Sequence, residues 1–536
     1  MYSGTGFLNK SDIVNCRGFC KKSDEGRGRR AARGGARLVA VVALLSPVAH
    51  AAGAAGPRFV PIDVPHHVYD GGWEHFVGGG LAVLDCNGDG RPDMVAAGGA
   101  NPPILLRNTS PAAGPLSFED ATPQALDLTG TTGAYPLDVN NDGVMDLVVL
   151  RVGPDVLLHG TGDCGFAPAP LQTGDHWSTA FSATWEAGEA LPTLAFGHYV
   201  DRADPEGPFE ACDSNTLWRP SDSGYTPYPL DPGHCALSML FTDWARTGTA
   251  DLRISNDRHY YVRDGQEQLW AMSTPPALYT EADGWQRHML WGMGIAARDL
   301  DRDGKDEVYL SSMGDQRLME QVGDGPTFRD VPFARGTTAQ RPYIGDDGRP
   351  STGWHIAFGD VQNDGRDDAF IAKGNVQQMP GNAMEDPNNL LIGQADGSFV
   401  EQGDVAGVAS LHRSRGAALV DLNNDGLLDL VVVNRRAPLQ VWQNRTSDGG
   451  TWLSVDLRQT GTNTQAVGAW IEVDDGNAVQ SREITVGGGH AGGVAGPQHF
   501  GLGTADSVRV RIRWPHGVWS PWQDAATNQT LRITRP

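Results

Sequence analysis

The sequence has no apolar run long enough to cross a bilayer. The stretch 38–45 is apolar but far short of the ~20 residues that a spanning helix needs, and no other segment qualifies. It also lacks a nucleophile elbow, a phosphate-binding glycine loop and an HExxH zinc motif. Positive charge is scarce: 42 Lys and Arg stand against 65 Asp and Glu, a formal net charge of −23. That balance argues against nucleic acid as a partner, because phosphate binding rests on clustered cations. Cysteine is scarce too, with six in 536 residues. Cys16 and Cys20 fall in a segment, 1–51, that reads as an export signal. Arg27, Arg29, Arg30, Arg33 and Arg37 precede the apolar stretch, and Ala49-His50-Ala51 resembles a small-residue cleavage site. The expected location is secreted, periplasmic or cell-surface. Cys86, Cys164, Cys212 and Cys235 remain, and an even number in an exported protein suggests two disulfides. Cys212 with Cys235 is the preferred pair, since they bracket one irregular insertion; Cys86 with Cys164 follows by elimination. Four reduced thiols are the alternative.

What the sequence has in excess is acid, and the acid is organised. Asp421, Asn423 and Asp425 alternate, Gly426 follows, and Asp429 closes the run between two apolar stretches. The pattern recurs as Asp85, Asn87, Asp89, Gly90, Asp93 and as Asp138, Asn140, Asp142, Gly143, Asp146. It recurs again as Asp299, Asp301, Asp303, Gly304, Glu307 and as Asp360, Gln362, Asp364, Gly365, Asp368. Oxygen ligands from a flexible loop suit calcium. Without a cation the carboxylates repel by roughly 4 kcal/mol per pair at about 4 Å in an effective dielectric of 20. Any one copy reads equally well as an ordinary acidic turn. Five in register between apolar runs predict about five calcium sites, each in the elbow of a β-hairpin.

The first Asp of each loop sits at 85, 138, 299, 360 and 421, so the long gap has room for two degenerate copies. One is Asp243 to Asp251, with Ala245 and Thr247 at ligand places. The other is a broken copy around Asp201 and Asp204. Seven repeats of about 40 to 60 residues suit four-stranded propeller blades. Segments led by Phe118, Phe166, Tyr225, Phe328 and Phe399 read as fourth strands. The seventh repeat lacks one, and 59–63 is expected to supply it and close the ring, which removes exposed sheet edges. After Asn444 the acidic loops stop, and alternating strands predict a separate small β-sandwich. The fold class is all-β: export segment 1–51, propeller 52–446, C-terminal β-domain 447–536.

In such a topology the calcium loops share one face, and longer connections crowd the other. Glycines at the starts of the first strands, including Gly80, Gly133, Gly294 and Gly416, fit where strands converge on an axis. Candidates for a ligand on the loop-rich face are His75, Arg258, His288, Arg341, Trp354, His355, Arg413, Arg415 and Arg435. Arginines suit carboxylate, sulfate or phosphate through paired hydrogen bonds. Histidines grouped at one mouth could serve acid–base chemistry or hold a transition metal. The plainer readings are packed loop histidines and arginines that neutralise nearby acids.

The repeats resemble FG-GAP or VCBS repeats of integrin-α-like propellers. The motifs at 466–470 (AVGAW), 487–490 (GGGH), 499–503 (HFGLG) and 514–517 (WPHG) resemble the ASPIC/UnbV domain. Together they resemble the cartilage acidic protein family in an exported bacterial-type version. That resemblance implies a calcium-loaded seven-bladed propeller with a small β-domain, and no defined chemistry. The expected function is a binding or adhesion module for an extracellular protein, a glycan or a small anionic ligand. The alternative is an extracytoplasmic hydrolase or lyase using the His and Arg cluster.

Overall fold

The computed structural model describes residues 56–204, 211–222, 224–257, 262–338, 349–377 and 379–535. The expected export segment, Arg258 and Arg341 lie outside them. Residues Gly53–Pro536 form one compact unit.

The architecture is all-β. Up to Asn444 the described residues build seven successive antiparallel sheets of four strands. The first sheet is Leu81–Leu84, Asp93–Ala96, Ile104–Asn108 and Phe118–Asp120. The next five begin on Thr131–Leu137, His176–Thr184, Ala236–Thr242, Gly292–Arg298 and Gly353–Gly359. The seventh consists of Arg413–Val420, Asp429–Arg435, Gln440–Asn444 and, from the far end of the chain, Phe59–Ile62. Phe59 pairs with Asn444 and Ile62 with Val441, so the segment expected to complete the last sheet does so. Two residue pairs at His176 and Trp177 also link the third sheet to the second.

First and second strands are buried on both faces, which is why they read as short apolar runs instead of alternating ones. The apolar core is divided among the sheets. Leu105 of the first sheet packs with Leu147 and Leu158 of the second, and Phe358 of the sixth packs with Tyr309 of the fifth. Leu81 and Val83 of the first sheet also share a cluster with Val431 and Val441 of the seventh.

The third repeat differs from its expected layout. Its hairpin turn lies between Thr184 and Thr193, where Glu186 takes bonds from Thr193 and Arg219. Asp201 follows the second strand, Thr193–His198, at the other end of the sheet. The apolar run 194–200 that suggested a first strand is the second.

The C-terminal segment forms two sheets of three and four strands around Leu453, Val455, Ile471, Phe500 and Val510. It is not separate, as the sequence reading had it. Between Glu483 and Gln498 the chain leaves these sheets and runs among the first strands of the others. Backbone bridges join Val486 to Ala183, Gly487 to Leu240, Gly489 to Ile295, Gly492 to Ala134 and Gly493 to Ala82. This corrects the reason for the glycines. A Cβ on Gly80 would meet the Ala491 carbonyl oxygen at 1.6 Å, and one on Gly133 would meet it at 2.1 Å. They make room for an inserted loop as well as for neighbouring strands.

Candidate metal loops and the opposite face

Each acidic loop joins the first and second strands of its sheet. The closing carboxylate pairs across the hairpin with the last residue of the first strand: Leu84 with Asp93, Leu137 with Asp146, Arg298 with Glu307, Gly359 with Asp368, and Val420 with Asp429. The first carboxylate sets the turn. Its Oδ2 accepts the glycine N–H five residues on, at 2.8 Å for Asp85, Asp138 and Asp421, 3.1 Å for Asp299 and 2.7 Å for Asp360. Those glycines hold φ between 81° and 88°, where a side chain is strained. Asn87, Asn140 and Asn423 each donate to the aspartate two positions on, Asp89, Asp142 and Asp425, and Gln362 donates to Asp364 at 3.5 Å.

A cation suits this donor set. Asp299, Asp301 and Asp303 each offer an oxygen within 4.8 Å of the others. The buried Oδ1 atoms of Asp299 and Asn423 have no hydrogen-bond partner. The closing carboxylates are buried and accept backbone N–H groups; Asp93 takes those of Cys86 and Asn108, and Asp429 those of Leu422 and Asn444. Burial pushes Asp93, Asp146 and Asp299 up to about 6, Asp421 to about 7 and Glu307 to about 8; it also raises Asp368 and Asp429. A bound divalent ion favours the ionised form and opposes each of these shifts.

The loops are also tied to one another, through a position that sequence reasoning did not single out. The fourth residue of the loop, with positive φ in Arg302, Asn363 and Asn424, reaches the glycine of the next loop. Arg302 bonds the Gly365 carbonyl, Asn363 the Gly426 carbonyl and Asn424 the Gly90 carbonyl. The chain of contacts therefore runs from the fifth sheet through the sixth and seventh to the first. The only cue in the sequence was a side chain able to donate at that place.

The Asp243 copy keeps the turn, with Asp243 Oδ2 accepting from Gly248 at 2.9 Å, but a guanidinium stands beside it. Arg513 of the C-terminal sheets bonds the same Oδ2. Other C-terminal residues cover the same rim: Thr464 donates to Asp138, Ser481 to Asp299 at 3.2 Å, and Arg482 to both oxygens of Asp367 at 3.1 and 3.0 Å. Cys86, inside the first loop, is disulfide-bonded to Cys164 of the second sheet, and Cys212 is bonded to Cys235.

At the far ends of the strands the ligand-face candidates divide. Arg413 and Arg435 are cross-strand neighbours, Arg435 Nε donates to the His75 carbonyl at 2.8 Å, and Arg415 lies beside them. Trp354 is fully buried; its ring lies 3.9 Å below the Arg415 guanidinium and 5.1 Å from His490 of the inserted loop. His355 is buried against the same loop, its Nδ1 accepting the His490 N–H at 3.1 Å, and burial lowers its pKa to about 3. His288 packs on Trp285 near Arg253, with its pKa lowered to about 4. Trp354 and His355 thus line the interior instead of a mouth, and His288 and His355 have different neighbours. The convergence of histidines expected for acid–base chemistry does not involve this pair.

Residues 459–536 match the ASPIC and UnbV family and 85–149 the FG-GAP-like repeat. The chain is 26% identical over 233 residues to cartilage acidic protein 1 of Mus musculus, and 25% identical over 233 residues to that of Homo sapiens. These matches support the resemblance to the cartilage acidic protein family. The matches cover 42% of this chain and 34% and 33% of those relatives, so the chain spans about a third of the length of the curated relatives it matches. Among solved structures, it is similar to BBS1N in complex with ARL6DN at 9% identity and a TM-score of 0.44, covering 73% of this chain and 99% of that one. It is also similar to an Agrocybe aegerita lectin that recognises non-reducing terminal N-acetylglucosamine, at 16% identity and a TM-score of 0.30, covering 69% and 81%.

Proposed function

We propose that this chain is an exported, calcium-binding β-propeller of seven blades that acts as a binding module. The C-terminal β-domain caps its metal face, and the ends of the strands opposite that face meet the ligand. The ring is supported by apolar clusters shared between successive sheets and by Leu81 and Val83 packing on Val431 and Val441. Export is supported by two disulfides, which persist in oxidising compartments.

The observation that carries the metal reading is the unpartnered, buried Oδ1 of Asp299 within a cluster that also holds Asp301 and Asp303. Asp85, Asp138, Asp360 and Asp421, with Asn87, Asn140, Gln362 and Asn423, would hold the other ions. Calcium here stiffens one rim and contributes no reaction step. Metal analysis of protein purified with calcium, followed by melting with and without chelator, tests the proposal. About five ions per chain and a lower melting temperature after chelation are expected. A count near zero with an unchanged melt overturns it.

A further inference from the structure

The geometry points to an oxyanion site formed by Arg413, Arg435 and His75 at the end of the seventh sheet, with Arg415 and Trp354 as its floor. The inference rests on reading that face as the ligand face and is independent of the metal.

Arg413, Arg415 and Arg435 meet here, and among the described residues no carboxylate is hydrogen-bonded to any of them. Arg415 is fully buried, yet it donates only to carbonyls: Phe76 at 2.9 Å, Ser414 at 2.9 Å, Val376 at 2.8 Å and Asn375 at 3.4 Å. Arg435 is 1% exposed and is likewise held by His75, Gly71, Gly72 and Gln377 oxygens. Among the described residues, Asp70 pairs with Arg436 at 2.9 Å and reaches Arg435 only through its field, and Glu74 pairs with Arg202 at 3.2 Å. A buried charge held only by neutral dipoles is costly, and a nearby anion would offset that cost.

Unused donors are also present. Arg435 Nη1 and Arg413 Nε are buried without a hydrogen-bond partner, as are both ring nitrogens of His75, one of which carries an N–H to donate. Paired guanidinium donors match the two oxygens of a carboxylate or the oxygens of a sulfate or phosphate group. Arg413 and Arg435 face each other across one hairpin, so a single oxyanion can bridge them. The ligand is therefore an oxyanion, and the Trp354 ring, 3.9 Å from the Arg415 guanidinium, lies in the floor beneath it.

The test uses the full calcium-loaded chain and two probes, sulfate and acetate, each at a few millimolar against chloride at equal ionic strength. At least one probe is expected to give a saturable upward shift of the melting temperature of about 1 °C or more. A shift with sulfate alone assigns a tetrahedral ligand, and one with acetate alone a carboxylate. Arg413→Gln, a partly exposed position that leaves the buried network in place, is expected to abolish the shift. Arg329→Gln, at an exposed ion pair far along the chain, is expected to keep it. No difference from chloride, or a shift that survives Arg413→Gln, overturns the site. Calcium counted in the same samples separates the two readings: full metal without an anion shift refutes this site alone, and an anion shift without metal refutes the calcium reading alone.

Discussion

Arg513 places its guanidinium on Asp243, 270 positions earlier in the chain. Asp243 begins the degenerate fourth loop, and its Oδ2 occupies the turn-setting role that aspartates play in the five acidic loops. A guanidinium bonds this first aspartate directly, whereas at the fifth loop Arg246 stops 3.6 Å from Asp299 Oδ2. Arg513 and Asp243 are both largely buried, so removing one leaves an uncompensated charge. Arg513→Ala is expected to cost about 3–5 kcal/mol in chemical unfolding. A loss under about 1 kcal/mol would show that the contact is incidental.

Asp301 is exposed and makes few bonds outside its loop, so its substitution reads metal binding with little effect on packing. Asp301→Ala is expected to lower the calcium count by one ion per chain while leaving the others in place. An unchanged count, measured by atomic emission, would remove the fifth loop from the set.

Chelated protein is expected to lose stability as pH rises from about 4 to about 8. Burial raises Asp93 to about 6, Asp421 to about 7 and Glu307 to about 8, whereas unfolded carboxyls titrate near 4. Across that window the folded chain holds protons that the unfolded chain has released, so stability falls with rising pH. Calcium requires the ionised form. The gain in melting temperature on adding calcium should therefore be larger at pH 8 than at pH 5. An equal gain at both would contradict the assignment of these groups as ligands.

Gly80 lies against the inserted loop, and a Cβ there would meet the Ala491 oxygen at 1.6 Å. Gly80→Ala is expected to destabilise by about 1–3 kcal/mol or more, the usual range for overpacking. Gly325→Ala, where nothing lies within 4 Å, should stay within about 0.5 kcal/mol. Similar values for the two, in urea melts, would mean that the inserted loop does not press against Gly80.

The two disulfides close loops of different length, with separations of 78 and 23 residues. In the chain-entropy account, losing Cys86–Cys164 should cost about 1 kcal/mol more than losing Cys212–Cys235. Paired Cys→Ala variants, compared by unfolding, check the order; the reverse order would point to enthalpic effects in the folded state.

The hairpins were legible in the sequence because their cause is local. An aspartate, a glycine five residues on and a closing carboxylate fix a turn whatever surrounds it, and the apolar runs on either side can only be strands. The missing fourth strand of the last repeat was also legible, since one aromatic-led segment was left over at the start of the chain. Three features were not. The third repeat had lost its acidic marks, so nothing local showed which apolar run came first. The run 487–490 read only as a motif, and its place among the first strands depends on five sheets at once. Arg415 read as a ligand-face candidate and Arg513 carried no mark in the sequence, and only packing against Trp354 and Asp243 gave them their roles. Local hydrogen bonding determined the elements; contacts between segments hundreds of residues apart decided which charges are buried, which are paired and which are left open to a ligand.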